Sequence, residues 1–311
     1  MRIVFLGTPE FAVPSLTALE HNGHEVAAVF TQPDRPKGRG NQIAESPVKK
    51  AAAELGIPVH QPERVRRPEV IEQLKDLGAE MMVVVGYGQI IPQAIIDLPR
   101  YGILNVHASL LPKYRGAAPI QWAIANGDTE TGVTIMQIDA GLDTGDMLLK
   151  GALEILPAET APQLSQRLAP LGADLLLKAI RGIEAADIVR EMQNDATATY
   201  ARILKKEDGQ IDWTRTAADT YNRLRGFTPW PGAYSSFRGQ QVSVLAAHAA
   251  EGRNLYPGNI YSEGKRLLVA CGGNTGLQID ELQIAGKKRM QAEAFLNGYK
   301  LAVNERLGEQ L

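Results

Sequence analysis

The feature that most constrains the fold is a regular alternation, through the first 150 residues, of short apolar runs with segments of helical periodicity. The apolar runs are Ile3–Leu6, Val26–Phe30, Met81–Val85, Ile103–His107 and Val133–Ile138. Several of them are apolar throughout, which is typical of strands that are covered on both faces. Strands that alternate with helices build βαβ units and a mostly parallel sheet. We therefore predict an α/β domain with a Rossmann-like, mostly parallel sheet.

Proline residues mark the predicted helix starts. Pro47, Pro68 and Pro119 each stand where a helical pattern begins. Proline is favoured at the first helical position because its missing N–H has no partner there in any case. A longer amphipathic helix is predicted from about Thr160 to Arg181. Pro170 falls inside this segment and is expected to kink or split the helix, since it removes a backbone hydrogen bond.

The sequence changes character after residue 188. The stretch from Gln193 to Thr199 is small and polar, which is typical of a linker between domains. Beyond it, a predicted helix at 217–224 is followed by the β-like runs Gln241–Ala246, Arg266–Cys271 and Leu277–Leu282. We predict three parts: an α/β domain over residues 1–189, a linker over 190–208, and a small OB-like β-barrel domain over 209–311.

Several classes of protein are disfavoured by what the chain lacks. Its one cysteine, Cys271, allows no internal disulfide and is expected to fill space in an apolar core. No apolar run approaches the roughly 20 residues of a membrane span, so the cytoplasm is the expected location. No long apolar stripe is expected on the surface, so a monomer is the expected state. No metal is expected, because no Cys/His ligand pattern surrounds His21, His24, His60 and His248.

A nucleotide-binding site is the first function to test for such a sheet. The turn after the first apolar run holds Gly7, but the two further glycines of a Gly-x-Gly-x-x-Gly fingerprint are missing. No Gly-Lys-Ser/Thr sequence of the Walker type occurs either. NAD, FAD and ATP are therefore not expected as ligands. The fold still predicts a ligand crevice at the carboxyl ends of the parallel strands.

Two polar residues stand at one such strand end. Asn105 and His107 are two residues apart, so their side chains project to the same side of the strand, with apolar Val106 opposite. An amide donor beside an imidazole suits acyl chemistry, because one can stabilise an oxyanion and the other can transfer a proton. The alternative is an ordinary half-buried histidine that is hydrogen-bonded by its neighbour.

An acidic, glycine-rich loop follows the run Val133–Ile138 and is expected at the same edge of the sheet. Its acidic residues are Asp139, Asp143 and Asp146. A carboxylate here is able to orient His107 and raise its basicity. The spacing does not match a calcium-binding EF-hand. For Asp139 and Asp146 we favour a role in Asx turns.

These motifs together resemble the folate-dependent formyltransferase superfamily. The resemblance rests on Asn105 and His107, on Ser109-Leu110-Leu111-Pro112 directly after them, and on Leu142-Asp143-Thr144-Gly145. Further stretches resemble the branch that acts on methionyl-tRNA, namely residues 31–40, 136–147 and 226–233. The family often has Asn where this chain has Thr228, and we expect that change to affect a local turn and not the reaction.

The resemblance implies a reaction and a catalytic set. The formyl donor would be 10-formyltetrahydrofolate, and the acceptor would be the α-amino group of methionyl-initiator-tRNA. Asn105, His107 and Asp143 would form the catalytic set. The folate would lie against Ser109, Leu110, Leu111 and Pro112, with its pterin near the backbone of Gly86, Tyr87, Gly88, Gln89 and Ile90. For the two leucines the alternative is core filling, and for the two glycines it is a tight turn.

The resemblance also implies a tRNA-binding surface. The segment 34–41 looks like the family's tRNA-contacting insertion and carries Arg35, Lys37 and Arg39. Without the resemblance it would be interpreted as a solvated, mobile loop. Basic residues that would extend a phosphate-binding track across the C-terminal domain are Lys205, Lys206, Lys287, Lys288 and Arg289. Residues 205–311 hold 14 of the 33 Lys/Arg and 11 of the 35 Asp/Glu, a weak basic excess that chance alone also explains.

Other acceptors remain open at this stage. A formyltransferase that acts on an amino-sugar nucleotide or another small amine would share the catalytic set, and a formyltetrahydrofolate hydrolase would use water as the acceptor. A catalytically idle, RNA-binding relative is the third alternative. The intact Asn105, His107 and Asp143 disfavour an idle protein, and the basic 34–41 segment disfavours a small acceptor.

Overall fold

The chain forms two compact units. A computed structural model describes residues 1–37 and 42–308, and within the strands that flank the gap it does not describe the side chains of residues 36, 37, 42 and 43. The first unit comprises Met1–Pro119, Glu130–Glu154 and Gln163–Arg202. The second comprises Ile120–Thr129, Ile155–Pro162 and Ile203–Leu311. The sequence-based domain boundaries at residues 189 and 208 stay a prediction.

All five apolar runs of the N-terminal part form strands. The strands of this part are β1 Arg2–Gly7, β2 Glu25–Phe30, β3 Arg35–Lys37, β4 Gln42–Ala44, β5 Val59–His60, β6 Met81–Val85, β7 Ile103–His107, β8 Glu130–Gln137 and β9 Met147–Glu154. The helices are α1 Val13–His21, α2 Pro47–Glu54, α3 Pro68–Asp76, α4 Gln93–Ile96, α5 Pro119–Ala125 and α6 Ala161–Glu184. Residues of β1, β6 and β7 are buried along almost their whole length, as expected of strands in the middle of a covered sheet.

The main sheet has seven strands in the order β5-β2-β1-β6-β7-β8-β9. The pairs from β5 to β7 are parallel, so the carboxyl ends of these strands lie at one edge. The last two pairs, β7 with β8 and β8 with β9, are antiparallel. The predicted Rossmann-like, mostly parallel sheet is therefore confirmed, with an antiparallel pair of strands at one side.

The helix signals were accurate except at one proline. Helix α2 begins at Pro47, and the preceding Ser46 accepts a hydrogen bond from the Lys49 N–H at 3.1 Å, as an N-cap residue does. Pro170 was predicted to kink or split the long helix; a split is wrong, because α6 runs unbroken from Ala161 to Glu184, and a kink stays a prediction. Leu164 and Leu176 are fully buried on either side of the proline. Their burial offsets the roughly 3 kcal/mol that an internal proline costs a helix.

The second unit is built around an antiparallel sheet. Its elements are α7 Ala217–Gly226, β10 Ala233–Phe237, β11 Gln240–Glu251, β12 Ile260–Glu263, β13 Arg266–Cys271, β14 Thr275–Ile284, β15 Met290–Gln291 and α8 Ala292–Gly298. The strand order is β10-β11-β14-β13-β12, and β15 pairs with β14. The three predicted β runs form β11, β13 and β14, and the predicted C-terminal β domain is confirmed.

The two edge strands of this sheet are joined by the C-terminal segment Glu305–Gly308. The Ile260 N–H of β12 donates to the Glu305 carbonyl at 2.9 Å, and the Gly308 N–H donates to the Ser236 carbonyl of β10 at 3.0 Å. Backbone hydrogen bonds thus run from one edge strand to the other. This is the closure that an OB-like barrel requires, because it removes the exposed edges of the sheet.

Arg225 holds the short stretch Ile155–Pro162 to the rest of the second unit. Its guanidinium is buried, and Nη1 donates to the carbonyls of Leu156 and Glu159, each at 3.1 Å. Substitution Arg225→Met keeps the apolar stem but leaves these two carbonyls without that donor. We expect a loss of about 3 kcal/mol in the free energy of unfolding, measured by urea denaturation. The exposed Arg253→Met is the control, and an equal loss in both variants would contradict this role.

Candidate active site

The predicted catalytic residues of β7 lie in the middle of the main sheet. Strand β7 pairs with β6 on one side and β8 on the other. Asn105 is 9% exposed and His107 is 5% exposed, so both side chains are largely withdrawn from solvent. Because they are two residues apart in an extended strand, they share one face of the sheet. A buried amide and a buried imidazole both require polar partners, and Asp143 is placed to meet them.

Asp143 joins the two side chains into one cluster. Asn105 Nδ2 donates to Asp143 Oδ1 at 3.3 Å. Asp143 Oδ2 lies 3.6 Å from His107 Nδ1 and accepts a hydrogen bond from the Gly116 N–H at 2.8 Å. The carboxylate is itself half-buried, with a side-chain exposure of 16%. The residues predicted from sequence to form the catalytic set are therefore within reach of one small ligand.

The orientation of the His107 ring is fixed by a backbone carbonyl. His107 Nε2 lies 2.9 Å from the Tyr114 carbonyl oxygen. A carbonyl can only accept, so Nε2 carries the hydrogen in this bond. Nδ1 is thereby the nitrogen that faces Asp143. Tyr114 has a positive φ of 61°, which is uncommon for a bulky residue and marks the sharp turn that brings its carbonyl to the ring.

The acidic loop reaches the cluster by a different route from the one predicted. Strand β8 is antiparallel to β7, and its last residue, Gln137, pairs with Leu104. The loop after β8 therefore starts beside the amino-terminal half of β7, and the prediction that it lies at the carboxyl edge of the sheet is wrong. Asp143 meets Asn105 and His107 across the face of the sheet. It adopts a positive φ of 52°, a conformation that aspartate tolerates better than most residues.

Asp139 has the structural role that was favoured for it. Its Oδ1 accepts hydrogen bonds from the Gly141 N–H at 3.0 Å and from the Thr144 hydroxyl at 2.7 Å. These bonds close an Asx turn within the loop. The loop therefore contains one aspartate that shapes its backbone and another that points to β7.

The Ser-Leu-Leu-Pro segment is fixed against β8. Ser109 is fully buried, and its hydroxyl donates to the Lys113 carbonyl at 2.6 Å. Thr134 of β8 donates to the Ser109 carbonyl at 2.7 Å and accepts from the Leu111 N–H at 3.1 Å. Leu111 is buried, whereas Leu110 and Pro112 are half-buried. Ser109 and Leu111 thus shape the turn, and Leu110 and Pro112 keep surface that a ligand can contact.

The segment Gly86–Ile90 leaves β6 at the same edge of the sheet. Gly86 has a φ of 58°, and a Cβ there would lie 2.8 Å from Pro9 Cγ, so glycine is required. Tyr87 is buried, and burial raises its pKa to about 12. Its carbonyl accepts from Gln32 Nε2 at 3.0 Å. By contrast Gly88 is exposed and Ile90 is 91% exposed. Gln89 is half-buried, and its Oε1 accepts a hydrogen bond from the Val65 N–H at 2.7 Å.

The described residues at and beside the ends of the basic segment 34–41 form two paired strands that are held together at their base. Strands β3 and β4 pair antiparallel, and Arg35 is exposed. Lys49 Nζ lies 2.5 Å from Asp34 Oδ2 and 3.1 Å from Glu45 Oε1, so one cation holds both stems. The hydrogen bond from Lys49 also holds the pKa of Asp34 below its usual value. The side chain of Lys37 and the whole of Arg39 lie outside the described residues.

The basic residues predicted in the second unit are all on its surface. Those exposed residues are Lys205, Lys206, Lys287, Lys288 and Arg289. Lys287 contacts the Tyr299 hydroxyl, and its Nζ lies 5.0 Å from the centre of the Tyr299 ring.

Over residues 1–37 and 42–308, no group of three or more His, Cys, Asp or Glu side chains is placed to hold a metal ion. No helix in these same ranges is long and apolar enough to cross a membrane.

Three residues of the site were missed by the sequence analysis. Gly116 donates its N–H to Asp143, and its φ of 115° together with a close Ala201 carbonyl requires glycine. Arg115 and Gln193 are linked to Asp143 by hydrogen bonds. Arg115 donates to the Gln193 side chain, and Gln193 donates to the Asp143 carbonyl. Arg115 and Gly116 follow the Ser-Leu-Leu-Pro motif closely, so their place in the chain was a usable signal. Gln193 offered none, because it stands in a polar stretch that resembles a linker.

Comparison with known families gives a match over both parts of the chain. The family model described as formyl transferase matches residues 1–180. The model described as formyl transferase, C-terminal domain, matches residues 203–300. Among solved structures, the sugar 3N-formyl transferase WlaRD aligns with a TM-score of 0.67 at 19% identity, covering 93% of this chain and 99% of that one. An N-formyltransferase from Helicobacter canadensis aligns with a TM-score of 0.65 at 18% identity, and the alignment covers 89% of this chain and 98% of that one. At such identities the likeness shows the fold alone.

Similarity in sequence is much higher to proteins named methionyl-tRNA formyltransferase. The one from Solibacter usitatus is 58% identical, and 99% of each chain is covered. The one from Koribacter versatilis is 55% identical over 99% of this chain and 99% of the relative. The one from Geotalea daltonii is 51% identical over 100% of this chain and 99% of the relative. The chain therefore belongs to the formyl transferase family, and within it to the methionyl-tRNA formyltransferases.

Proposed function

We propose that this chain transfers the formyl group of 10-formyltetrahydrofolate to the α-amino group of methionyl-initiator-tRNA, giving N-formylmethionyl-tRNA for translation initiation. The observation that carries the proposal is the meeting of Asn105, His107 and Asp143 around one point on the sheet. The reaction belongs in the cytoplasm, where aminoacylated tRNA is available. The names of the relatives that are 51–58% identical support methionyl-tRNA as the acceptor.

The acceptor amine attacks the formyl carbon directly in this mechanism. An α-amino group has a pKa of about 8, so a useful fraction is neutral and nucleophilic near pH 7. A strong nucleophile on the enzyme is not needed, and no covalent enzyme intermediate forms. The new C–N bond to the amine forms first, and the bond between the formyl carbon and N10 of the folate then breaks. What the enzyme must supply is stabilisation of the intermediate and a path for one proton.

Asn105 and His107 stabilise the oxyanion of the tetrahedral intermediate. The amide of Asn105 has two N–H donors, of which one is directed at Asp143, so the other is able to donate to the formyl oxygen. His107, when protonated on Nδ1, adds a charge-assisted donor. Both groups are buried and held by their neighbours, so they need little reorganisation as the charge develops.

Asp143 controls the proton. Its carboxylate lies 3.6 Å from His107 Nδ1, so the two groups stand together on the path of the proton. The amine gains a positive charge when it attacks and must lose a proton before the amide product forms. The Asp143 carboxylate accepts this proton and returns it to N10, which leaves as the neutral amine of tetrahydrofolate, while His107 remains the donor to the oxyanion. The proton balance closes without any further group.

The folate is proposed to bind along the carboxyl edge of the sheet. Ser109-Leu110-Leu111-Pro112 forms one wall, where Leu110 and Pro112 keep exposed surface. The backbone of Gly86, Tyr87, Gly88, Gln89 and Ile90 receives the pterin, and the exposed Ile90 supplies an apolar contact for its ring. Parallel pairing of β6 with β7 brings the two segments to the same edge.

The tRNA is proposed to bind to exposed basic residues through its phosphates. In the first unit these are Arg35, Lys37 and Arg39 of the hairpin segment. In the second unit they are Lys205, Lys206, Lys287, Lys288 and Arg289. These contacts hold the acceptor arm and are separate from the chemistry at Asn105 and His107.

One assay separates this function from its alternatives. The protein is incubated with 10-formyltetrahydrofolate labelled in the formyl group, and methionyl-initiator-tRNA, an amino-sugar nucleotide or water alone is supplied as acceptor. We expect label in formylmethionyl-tRNA at a rate far above that in the other two reactions. Label that appears mainly in the sugar product or in free formate would overturn the proposal in favour of a small-amine transferase or a hydrolase.

The clamp at the base of the hairpin gives a second prediction. Lys49→Met removes the cation that holds Asp34 and Glu45 but keeps the length of the side chain. We expect KM for methionyl-tRNA to rise about tenfold, because strands β3 and β4 lose the ion pairs that anchor them, while KM for the folate stays within about twofold. Lys50→Met on the same helix, where no ion pair to a hairpin stem is formed among the described residues, is the control. A normal KM for tRNA in Lys49→Met would contradict the role of the hairpin.

A further inference from the structure

Part of the segment predicted as a linker is hydrogen-bonded to the turn at Tyr114 and Arg115 in the first unit. Its residues Thr199 and Ala201 pair with Arg115, through the Arg115 N–H to the Thr199 carbonyl at 2.8 Å and the Ala201 N–H to the Arg115 carbonyl at 2.7 Å. The Thr199 hydroxyl also accepts from the Tyr114 N–H at 2.9 Å. This stretch therefore adjoins the turn whose carbonyl orients His107.

Gln193 in the same segment holds the loop that carries Asp143. Gln193 Nε2 donates to the Asp143 carbonyl at 2.7 Å and to the Gly145 carbonyl at 2.9 Å. A side-chain amide has two N–H donors, so both are used on this loop. The two hydrogen bonds are accepted by the residues before and after Thr144. They hold the backbone of residues 143–145, in which Asp143 has a positive φ. Aspartate tolerates the left-handed region better than most residues, but the conformation still costs energy, and these two hydrogen bonds support it.

A buried arginine fixes the direction of the Gln193 amide. Arg115 is 2% exposed, its Nε donates to Gln193 Oε1 at 2.9 Å, and its Nη2 donates to Asp195 Oδ1 at 2.7 Å. A buried cation must be paired. Because Arg115 can only donate, the oxygen of the Gln193 amide turns towards it and the nitrogen turns towards the loop.

We propose that Gln193 is a positioning residue for formyl transfer, which acts by holding Asp143 against His107 and Asn105. Arg115 sets the orientation of Gln193, and Gln193 in turn sets the backbone of residues 143–145. The inference rests on the proposed function for its catalytic consequence. Its geometric part, that Asp143 is held in place by Gln193, does not depend on the identity of the acceptor.

The variant Gln193→Glu tests this role without changing the size of the side chain. The carboxylate keeps, and strengthens, the bond to Arg115, but it replaces two donors with an acceptor that faces two carbonyls. We expect kcat to fall about 10- to 100-fold, with KM for both substrates within about twofold of the wild type. A residue that served only to pair Arg115 would tolerate this change, so a wild-type kcat would overturn the proposal.

Asp195→Asn is the matched control. It alters the other partner of Arg115, has an exposed side chain and leaves the bonds from Gln193 to the loop intact. We expect its kcat within about threefold of the wild type. An equal loss in both variants would overturn the proposal, because it would assign the effect to the pairing of Arg115 in general.

Hydrogen exchange of the Gly116 amide supplies a readout that needs no substrate. This N–H donates to Asp143 Oδ2, so it is protected only while Asp143 is in place. In Gln193→Glu we expect exchange at least about tenfold faster, and in Asp195→Asn no change. Unchanged exchange in Gln193→Glu would overturn the geometric claim. If wild-type protein formylates no methionyl-tRNA, the proposed function fails, while this exchange measurement still decides the role of Gln193.

Discussion

Replacement of Asn105 with alanine is expected to lower kcat by about 10²–10³-fold, which is the usual effect of removing one donor from an oxyanion site. The side chain is buried beside Asp143, and its amide is a donor carried by the interior strand β7. In the ground state the formyl oxygen is a weak acceptor, and its charge develops only in the transition state. The loss is therefore expected in kcat, with KM for the folate and for methionyl-tRNA changed little.

The measurement for Asn105→Ala is a steady-state assay with both substrates varied, together with a thermal melt. The melt is needed because the removal of a buried polar side chain also alters stability. A folded variant with kcat within about threefold of the wild type would remove Asn105 from the mechanism. A rise in KM with normal kcat would instead assign to Asn105 a role in substrate binding.

Asp143→Asn is expected to have the largest effect, a fall in kcat of about 10³-fold or more. Both oxygens of the carboxylate accept hydrogen bonds, Oδ1 from Asn105 Nδ2 and Oδ2 from the Gly116 N–H. An amide has only one oxygen, so in either orientation its NH₂ group faces one of these donors. The variant also loses the negative charge that lies 3.6 Å from His107 Nδ1.

Asp139→Asn is the matched control for this experiment. Asp139 lies in the same loop, and its carboxylate accepts bonds from Gly141 and Thr144 rather than from the residues of β7. Asparagine can keep an Asx turn, so kcat is expected to stay within about threefold of the wild type. Comparable losses in the two variants would show that the loop is merely fragile and that Asp143 has no special part in the chemistry.

The sequence was most informative where local spacing determines geometry. The two-residue separation of Asn105 and His107 places both on one face of a strand, whatever the rest of the fold does. The apolar runs of β1, β2, β6, β7 and β8 were also predictable. Burial on both faces of a sheet requires apolar residues at consecutive positions. Ser46 and Pro47 likewise marked the start of α2 through the chemistry of a helix terminus.

The sequence was least informative where position depends on distant parts of the chain. Strand direction is not encoded in an apolar run, so the antiparallel β8 and the path of the loop to Asp143 were not predictable. Strand β10, Ala233–Phe237, was missed because two serines interrupt its apolar pattern. Gln193 was missed because a polar stretch looks the same whether it is exposed to solvent or bonded to Arg115.

His107 and Asp143 are expected to act as one unit on the transferred formyl group, and a double-mutant cycle tests this cooperation most directly. Single-turnover rates are measured for His107→Ala, Asp143→Asn and the double variant, with both substrates saturating. Residues that act together are strongly non-additive, so we expect the double variant to be within about threefold of the slower single variant. A double-variant loss equal to the product of the two single losses would show that the residues act independently and would contradict the mechanism.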